Sequence, residues 1–148
     1  MTVTPDPADP ADPIDVVERF LGALAESDTE IAVSLVGDEL VYANVSLPTI
    51  RGKHRFTKAA AFYFRHMGFD VRLHGIAANG PVVLTERTDQ LILGPLRLEI
   101  WVCGTFEVVD GQIVTWRDYF DWANSTIGFL RALAGAVVPA LRPRPLRP

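Results

Sequence analysis

Cysteine is almost missing from this sequence. Cys103 stands alone among 148 residues, so no disulfide can form within the chain. That is compatible with a reducing, cytoplasmic setting. Histidine is scarce too: His54, His66 and His74 fall on different expected elements with no ligand spacing, so they read as ordinary surface or satisfied side chains rather than a metal site. There is no glycine-rich phosphate loop, no internal repeat and no Gly-x-Ser-x-Gly elbow. Cys103 has the strand parity opposite to Asp118, which removes a nucleophile triad. No apolar run is long enough to span a bilayer. The opening MTVTPDPADPADP lacks the basic start and apolar core of a secretory signal. The formal net charge of −4 argues against nucleic acid as a partner. Neither a metal nor an organic cofactor is expected.

What is present is the balance of a soluble globular protein, with 49% hydrophobic and 22% charged residues. The length suits one domain with a sizeable core. Residues 1–11 are rich in Pro, Asp and Ala and are expected to be disordered. Residues 12–140 form the expected single catalytic domain, and 141–148 a flexible, solvated Pro/Arg tail.

Asp12-Pro13 reads as an N-cap followed by proline at the first helical position. Val16, Val17, Phe20, Leu21 and Leu24 then make an apolar stripe at helical spacing. A short second helix follows Ser27 or Asp28, carries Ile31, Leu35 and Val36, and stops at Gly37. Leu40 to Val45 reads as a strand with Tyr42 and Asn44 on one face. The spacing predicts a helix over 53–67 with Phe56, Ala60, Tyr63 and Met67 in one stripe and Gly68 at C′. Strands are expected at 69–75, 82–93, 96–109 and 112–122. A three-residue loop, Val109-Asp110-Gly111, is expected to join the last two strands, pairing Phe106 with Val114 and Val102 with Asp118. A final helix capped near Ser125 would bury Ile127, Leu130, Leu133 and Val137.

The strand from Val82 to Leu93 breaks the binary pattern. Val83, Thr85, Arg87, Asp89, Leu91 and Leu93 share the face that should meet the core, while Glu86, Thr88 and Gln90 face solvent. A buried charge is costly unless it is paired and hydrogen-bonded. Arg87 and Asp89 are thus a structural ion pair or the floor of a polar site. Asp118 sits in the same way on the face of Val114, Trp116 and Phe120, and Asp121 has the opposite parity. Tyr42 and Asn44 taken alone are most simply polar tips at a strand end. Three strands placing polar groups on one concave face favour a site over coincidence. Two carboxylates bridged by a guanidinium suit acid–base chemistry, since close carboxylates in an apolar pocket do not both ionise readily.

The segments Val41-Tyr42-Ala43-Asn44 with Leu47-Pro48, Thr85-Glu86-Arg87-Thr88-Asp89, and Asp110-Gly111 leading to Trp116-Arg117-Asp118-Tyr119-Phe120-Asp121 resemble the limonene-1,2-epoxide hydrolase family. The likeness runs from about Ile14 to Trp122. It implies an α+β, cystatin-like or nuclear-transport-factor-2-like cone: a curved, mixed, mostly antiparallel sheet with helices on its concave side around a deep apolar pocket. It also implies a homodimer. By this resemblance Asp118 is the general base, acting on a water that Tyr42 and Asn44 also hold. Asp89 is the general acid, Arg87 bridges the two, and a lipophilic epoxide becomes a vicinal diol without a covalent intermediate. A ketosteroid-isomerase-like or polyketide-cyclase-like enzyme of the same fold, and a non-catalytic dimer binding a lipophilic ligand, are the competing readings.

Overall fold

The computed structural model describes residues 11–45 and 47–146. The expectation of disorder for the N-terminal segment therefore lies, apart from Ala11, outside the described residues.

Asp12 caps the first helix as expected: its Oδ1 accepts from the Ile14 N–H at 2.9 Å, and Pro13 opens the first turn. The helix, α1, runs Pro13–Ala25 and buries Val16, Val17, Phe20, Leu21 and Leu24. Full burial of each large apolar side chain contributes about 1.5–3 kcal/mol. Ser27 takes a positive φ of 57° to turn the chain, and Asp28 caps α2 (Thr29–Ser34) through the Ile31 N–H. This helix is shorter than expected. Leu35 and Val36 are buried, but Val36 already begins β1 (Val36–Asn44). A two-residue strand, β2 (Ile50–Arg51), and α3 (Lys53–His66) follow.

Four long strands make the rest of the sheet: β3 (Gly68–Asn79), β4 (Val82–Leu93), β5 (Leu96–Val109) and β6 (Gln112–Phe120). The order across the sheet is β2-β1-β6-β5-β4-β3. Only β1 and β6 run parallel; every other neighbouring pair is antiparallel. The sheet is curved and does not close, consistent with the expected α+β cone. Gly68 is not a left-handed cap. Met67 ends α3 in extended conformation, and Gly68 opens β3 opposite Ile92.

The β5–β6 hairpin departs from the expected register. Val109 pairs with Gln112 across a two-residue turn in which Asp110 (φ 50°) and Gly111 (φ 74°) are both left-handed. Such a turn matches the right-handed strand twist. A two-residue turn with no irregularity would set Phe106 opposite Thr115 and mismatch the apolar faces, and a bulge resolves this instead of a longer loop. The pairing shifts between Glu107 and Val108, leaving Val114 as the extra residue. Phe106 therefore opposes Trp116, and Asp118 opposes Gly104 rather than Val102.

The core lies between α1 and the concave face of the sheet. Phe20 is its centre, with ring contacts to Phe56, Phe106 and Trp116. The C-terminal helix, α4 (Trp122–Val137), starts earlier than expected. Its cap is Asp121, whose side chain accepts from the N–H groups of Ala123 and Asn124. The helix packs against β5. There Asn124 Oδ1 accepts from the Trp101 N–H at 3.2 Å. The face of α4 differs from the expected one. Gly128, Ala132 and Gly135 are buried, while Ile127, Leu130, Leu133 and Val137 are exposed. The reason is close approach: a Cβ at 128 would overlap the Glu99 carbonyl, and one at 135 would meet Arg142 Cα. Only small residues let the helix sit this near the strand.

Residues 142–146 are not a solvated end. The Arg144 carbonyl accepts from Gln90 Nε2 at 2.9 Å, the Leu146 carbonyl accepts from Arg72 Nη2 at 2.8 Å, and Leu146 is buried. Gln90, expected to face solvent, is fully buried with bonds to Glu99, Arg97 and this strap. The prolines here leave carbonyls free to accept, and the sheet supplies the donors.

Candidate active site

Strand alternation places Thr85, Arg87 and Asp89 on the inward face of β4, and all three are buried. β6 contributes Trp116 and Asp118, and β1 contributes Tyr42 and Asn44. The parallel register sets Tyr42 beside Trp116 and Asn44 beside Asp118. Every catalytic residue expected from the sequence except Arg87, which lies behind the two carboxylates, lines one cavity of about 400 Å³. Leu24, Ile50, Phe56, Phe64, Leu91 and Phe120 are among its apolar walls.

Arg87 is fully buried and makes its bonds in two directions. Its Nε donates to Asp89 Oδ1 at 2.8 Å and its Nη2 to Asp89 Oδ2 at 3.1 Å. The same Nη2 lies 2.8 Å from Asp118 Oδ2. Its Nη1 donates to Thr85 Oγ1 at 3.2 Å. The planar fork of guanidinium suits such a bridge, where a lysine ammonium would not hold both carboxylates in fixed geometry. Burial opposes the charge on Arg87, but Asp118 and Asp89 more than offset that and hold the guanidinium protonated.

Burial pushes Asp89 up to about 6 from its ordinary 3.8, even though Arg87 acts against the shift. Burial likewise raises Asp118, again opposed by Arg87. The two carboxyls differ in their donors. Asp118 Oδ1 accepts a further bond, from Trp116 Nε1 at 2.8 Å, which favours its ionised form. Asn44 Nδ2 donates to Tyr42 Oη at 2.7 Å. The Tyr42 ring stacks on Trp116 with centroids 3.9 Å apart. Burial, and then the charge of Asp118, raises the Tyr42 phenol far above its usual range, so it remains a neutral O–H donor.

Three parts of the site were not expected from the sequence. Gly104 lies opposite Asp118, and a Cβ there would overlap Arg87 Nη1 and come within 2.7 Å of Thr85 Oγ1. In the sequence Trp116 stands only as an apolar neighbour on the face of Asp118, yet its indole N–H orients that carboxylate. Thr85 completes the donors and acceptors around Arg87. A glycine inside an otherwise apolar strand face is the signal that marks the first of these.

Comparison with known proteins adds an independent line. Residues 11–131 match the family model described as limonene-1,2-epoxide hydrolase catalytic domain. The chain is 50% identical over 139 residues to epoxide hydrolase EphG of Mycobacterium tuberculosis, a match covering 94% of this chain and 93% of that protein. A solved structure of an LEH-like epoxide hydrolase from M. tuberculosis superposes with a TM-score of 0.87 at 48% identity. That match covers 89% of this chain and 94% of that one. An NTF2-like protein of unknown function from Cytophaga hutchinsonii gives a TM-score of 0.62 at 17% identity over 74% of this chain and 90% of its own, a likeness of fold alone. The chain belongs to the limonene-1,2-epoxide hydrolase family of enzymes.

Proposed function

We propose that the protein adds water to a lipophilic epoxide in one step, giving a vicinal diol. The observation that carries this reading is Arg87 joined to two buried carboxylates at the wall of an otherwise apolar cavity. The bond from Asn44 Nδ2 leaves the Tyr42 O–H free to donate and Asn44 Oδ1 free to accept. A water between them and Asp118 receives one hydrogen bond from Tyr42 and gives its two protons to Asn44 Oδ1 and Asp118. Its remaining lone pair faces the epoxide. As the water oxygen bonds to a ring carbon, Asp118 takes a proton from it. The carbon–oxygen bond of the ring breaks, and Asp89 gives its proton to the departing oxygen. The proton on Asp118 then returns to the pair through solvent, with Arg87 unchanged.

The acid and base roles follow from the surroundings. Asp118 is beside Asn44 and has the extra Trp116 donor, so it is the better-stabilised carboxylate. The Asp89 carboxyl, raised to about 6, has Arg87 as its one side-chain hydrogen-bond partner among the described residues and holds the proton more readily. Acid and base catalysis contribute roughly 10²–10⁴-fold each, and positioning of the water adds to this. The apolar walls select a lipophilic substrate and keep bulk water out.

Assembly and location are part of the proposal. The exposed stripe of Ile127, Leu130, Leu133 and Val137 on α4 supports a homodimer in which a second copy covers it. Among the described residues no helix is long and apolar enough to cross a membrane, and a cytoplasmic location is the one we propose. The test of function is diol formation from a panel of lipophilic epoxides with the wild type and Asp118→Asn in parallel. Turnover by the wild type alone is expected. Undiminished turnover by Asp118→Asn would reject the base assignment.

A further inference from the structure

Apart from Trp116, whose indole N–H is engaged by Asp118, five side chains with polar atoms line the main cavity among the described residues: Tyr42, Asn44, Asp89, Asp118 and Tyr63. Water attack on an epoxide uses the first four, all of which come from the sheet. Tyr63 comes from α3 and has no part in that chemistry. Its ring is flanked by Phe64, with centroids 5.1 Å apart. Phe69 and Leu91 also line this cavity. A leucine or methionine would continue such a wall without a polar atom to satisfy, so the hydroxyl is the feature to explain.

The Tyr63 O–H donates to the carbonyl of Gly68 at 3.2 Å, across the junction of α3 and β3. Its proton is thereby engaged, and burial together with the nearby Asp89 charge pushes the phenol up to about 12, so it stays neutral. What the phenol oxygen still offers is acceptance. An apolar epoxide has nothing to donate to it. A cationic donor would lose its hydration in an apolar cavity, whereas a neutral alcohol loses little and regains a hydrogen bond.

We infer that the substrate is an epoxide carrying a hydroxyl group away from the ring, and that Tyr63 Oη accepts the hydrogen bond of that hydroxyl. Tyr63 is then a specificity residue: it fixes which way round the substrate enters, and so which ring carbon faces the attacking water. The inference rests on the proposed epoxide hydrolysis and names its substrate class.

The test uses matched substrates: a cyclic ten-carbon epoxide, and the series of alcohols made by placing one hydroxyl at each carbon remote from the ring. The readout is the kcat/KM of each alcohol divided by that of the parent, for the wild type and for Tyr63→Phe. For at least one alcohol this ratio is expected to fall roughly three- to tenfold in Tyr63→Phe, mainly through KM, the size of one neutral hydrogen bond. A purely structural role for the Gly68 bond would slow parent and alcohol alike and leave every ratio unchanged, which overturns the inference and leaves the hydrolase reading standing. A wild type that forms no diol from parent or alcohols rejects the hydrolase reading, and the inference with it.

Discussion

Gly104→Ala should damage this site without replacing any group that takes part in the chemistry. Gly104 sits inside β5, opposite Asp118, and its φ is not in the left-handed region, so alanine is tolerated by the backbone. The problem is the space above it. The added methyl would overlap Arg87 Nη1, stand 2.7 Å from Thr85 Oγ1 and 3.0 Å from Asp118 Oδ1. An exposed arginine would swing aside at little cost. Arg87 is fully buried and held by Asp89 through two nitrogens, by Asp118 and by Thr85. Overpacking of this kind costs about 1–3 kcal/mol. Movement of the bridge shifts both carboxylates, and a displacement of about 1 Å at reacting groups costs on the order of 10²-fold in rate. Urea unfolding and steady-state diol formation measure the two effects. Gly22→Ala is the control: nothing lies within 4 Å of its Cβ, and it lies inside α1. There alanine should stabilise the protein by about 0.5–1 kcal/mol. Wild-type activity in Gly104→Ala would refute the view that the guanidinium has no room to move.

Trp116→Phe keeps a large ring but removes the indole donor to Asp118 Oδ1. Loss of a donor that favours the carboxylate raises Asp118 further, so the acidic limb of the kcat/KM profile should move to higher pH, and an unchanged limb would show the bond to be incidental. Asp89→Asn removes a carboxyl whose folded value, about 6, lies above the ordinary 3.8. A raised carboxyl favours the folded state while protonated, so that stabilisation is present below about 3.8 and lost as pH rises through about 6. Wild-type stability should accordingly fall relative to Asp89→Asn over that window, by up to about 3 kcal/mol, in urea titrations at successive pH values. Leu130→Glu with Leu133→Glu places charges in the exposed stripe of α4. The double variant should sediment as a folded monomer where the wild type sediments as a dimer, and a wild-type monomer would end the homodimer proposal.

Local chemistry made much of this fold readable from sequence. Asp12-Pro13 announces α1, and Gly94-Pro95 separates two strands whose limits, Val82–Leu93 and Leu96–Val109, are found as expected. The site was visible because period-two alternation sets Arg87, Asp89 and Asp118 against apolar neighbours, and burial of charge is a strong anomaly. Apart from shifts in helix limits and caps, the misreadings share one cause: they concern how elements meet. Parity showed that β5 and β6 could not pair through a simple two-residue turn, but a bulge at Val114 and a longer loop repair parity equally well. The apolar stripe of α4 was assigned to the core because hydrophobicity marks what prefers burial and not what lies against it. Gly128 and Gly135 decided the packing through contacts with Glu99 and Arg142. Gln90 looked solvent-facing because the strap that covers it comes from 54 residues later in the chain. Gly104 likewise acquires its role only from neighbours on other strands, whereas the Trp116 indole serves a carboxylate two residues along its own strand.

The most direct test of direct water attack is a single turnover in water enriched in oxygen-18, with enzyme in excess over epoxide. Attack by water held at Tyr42, Asn44 and Asp118 places the label in the diol in that first turnover and leaves the protein unlabelled. Unlabelled diol, with the heavy oxygen in the carboxyl of Asp89 or Asp118, would mean that a carboxylate attacks the ring first, and would contradict the account.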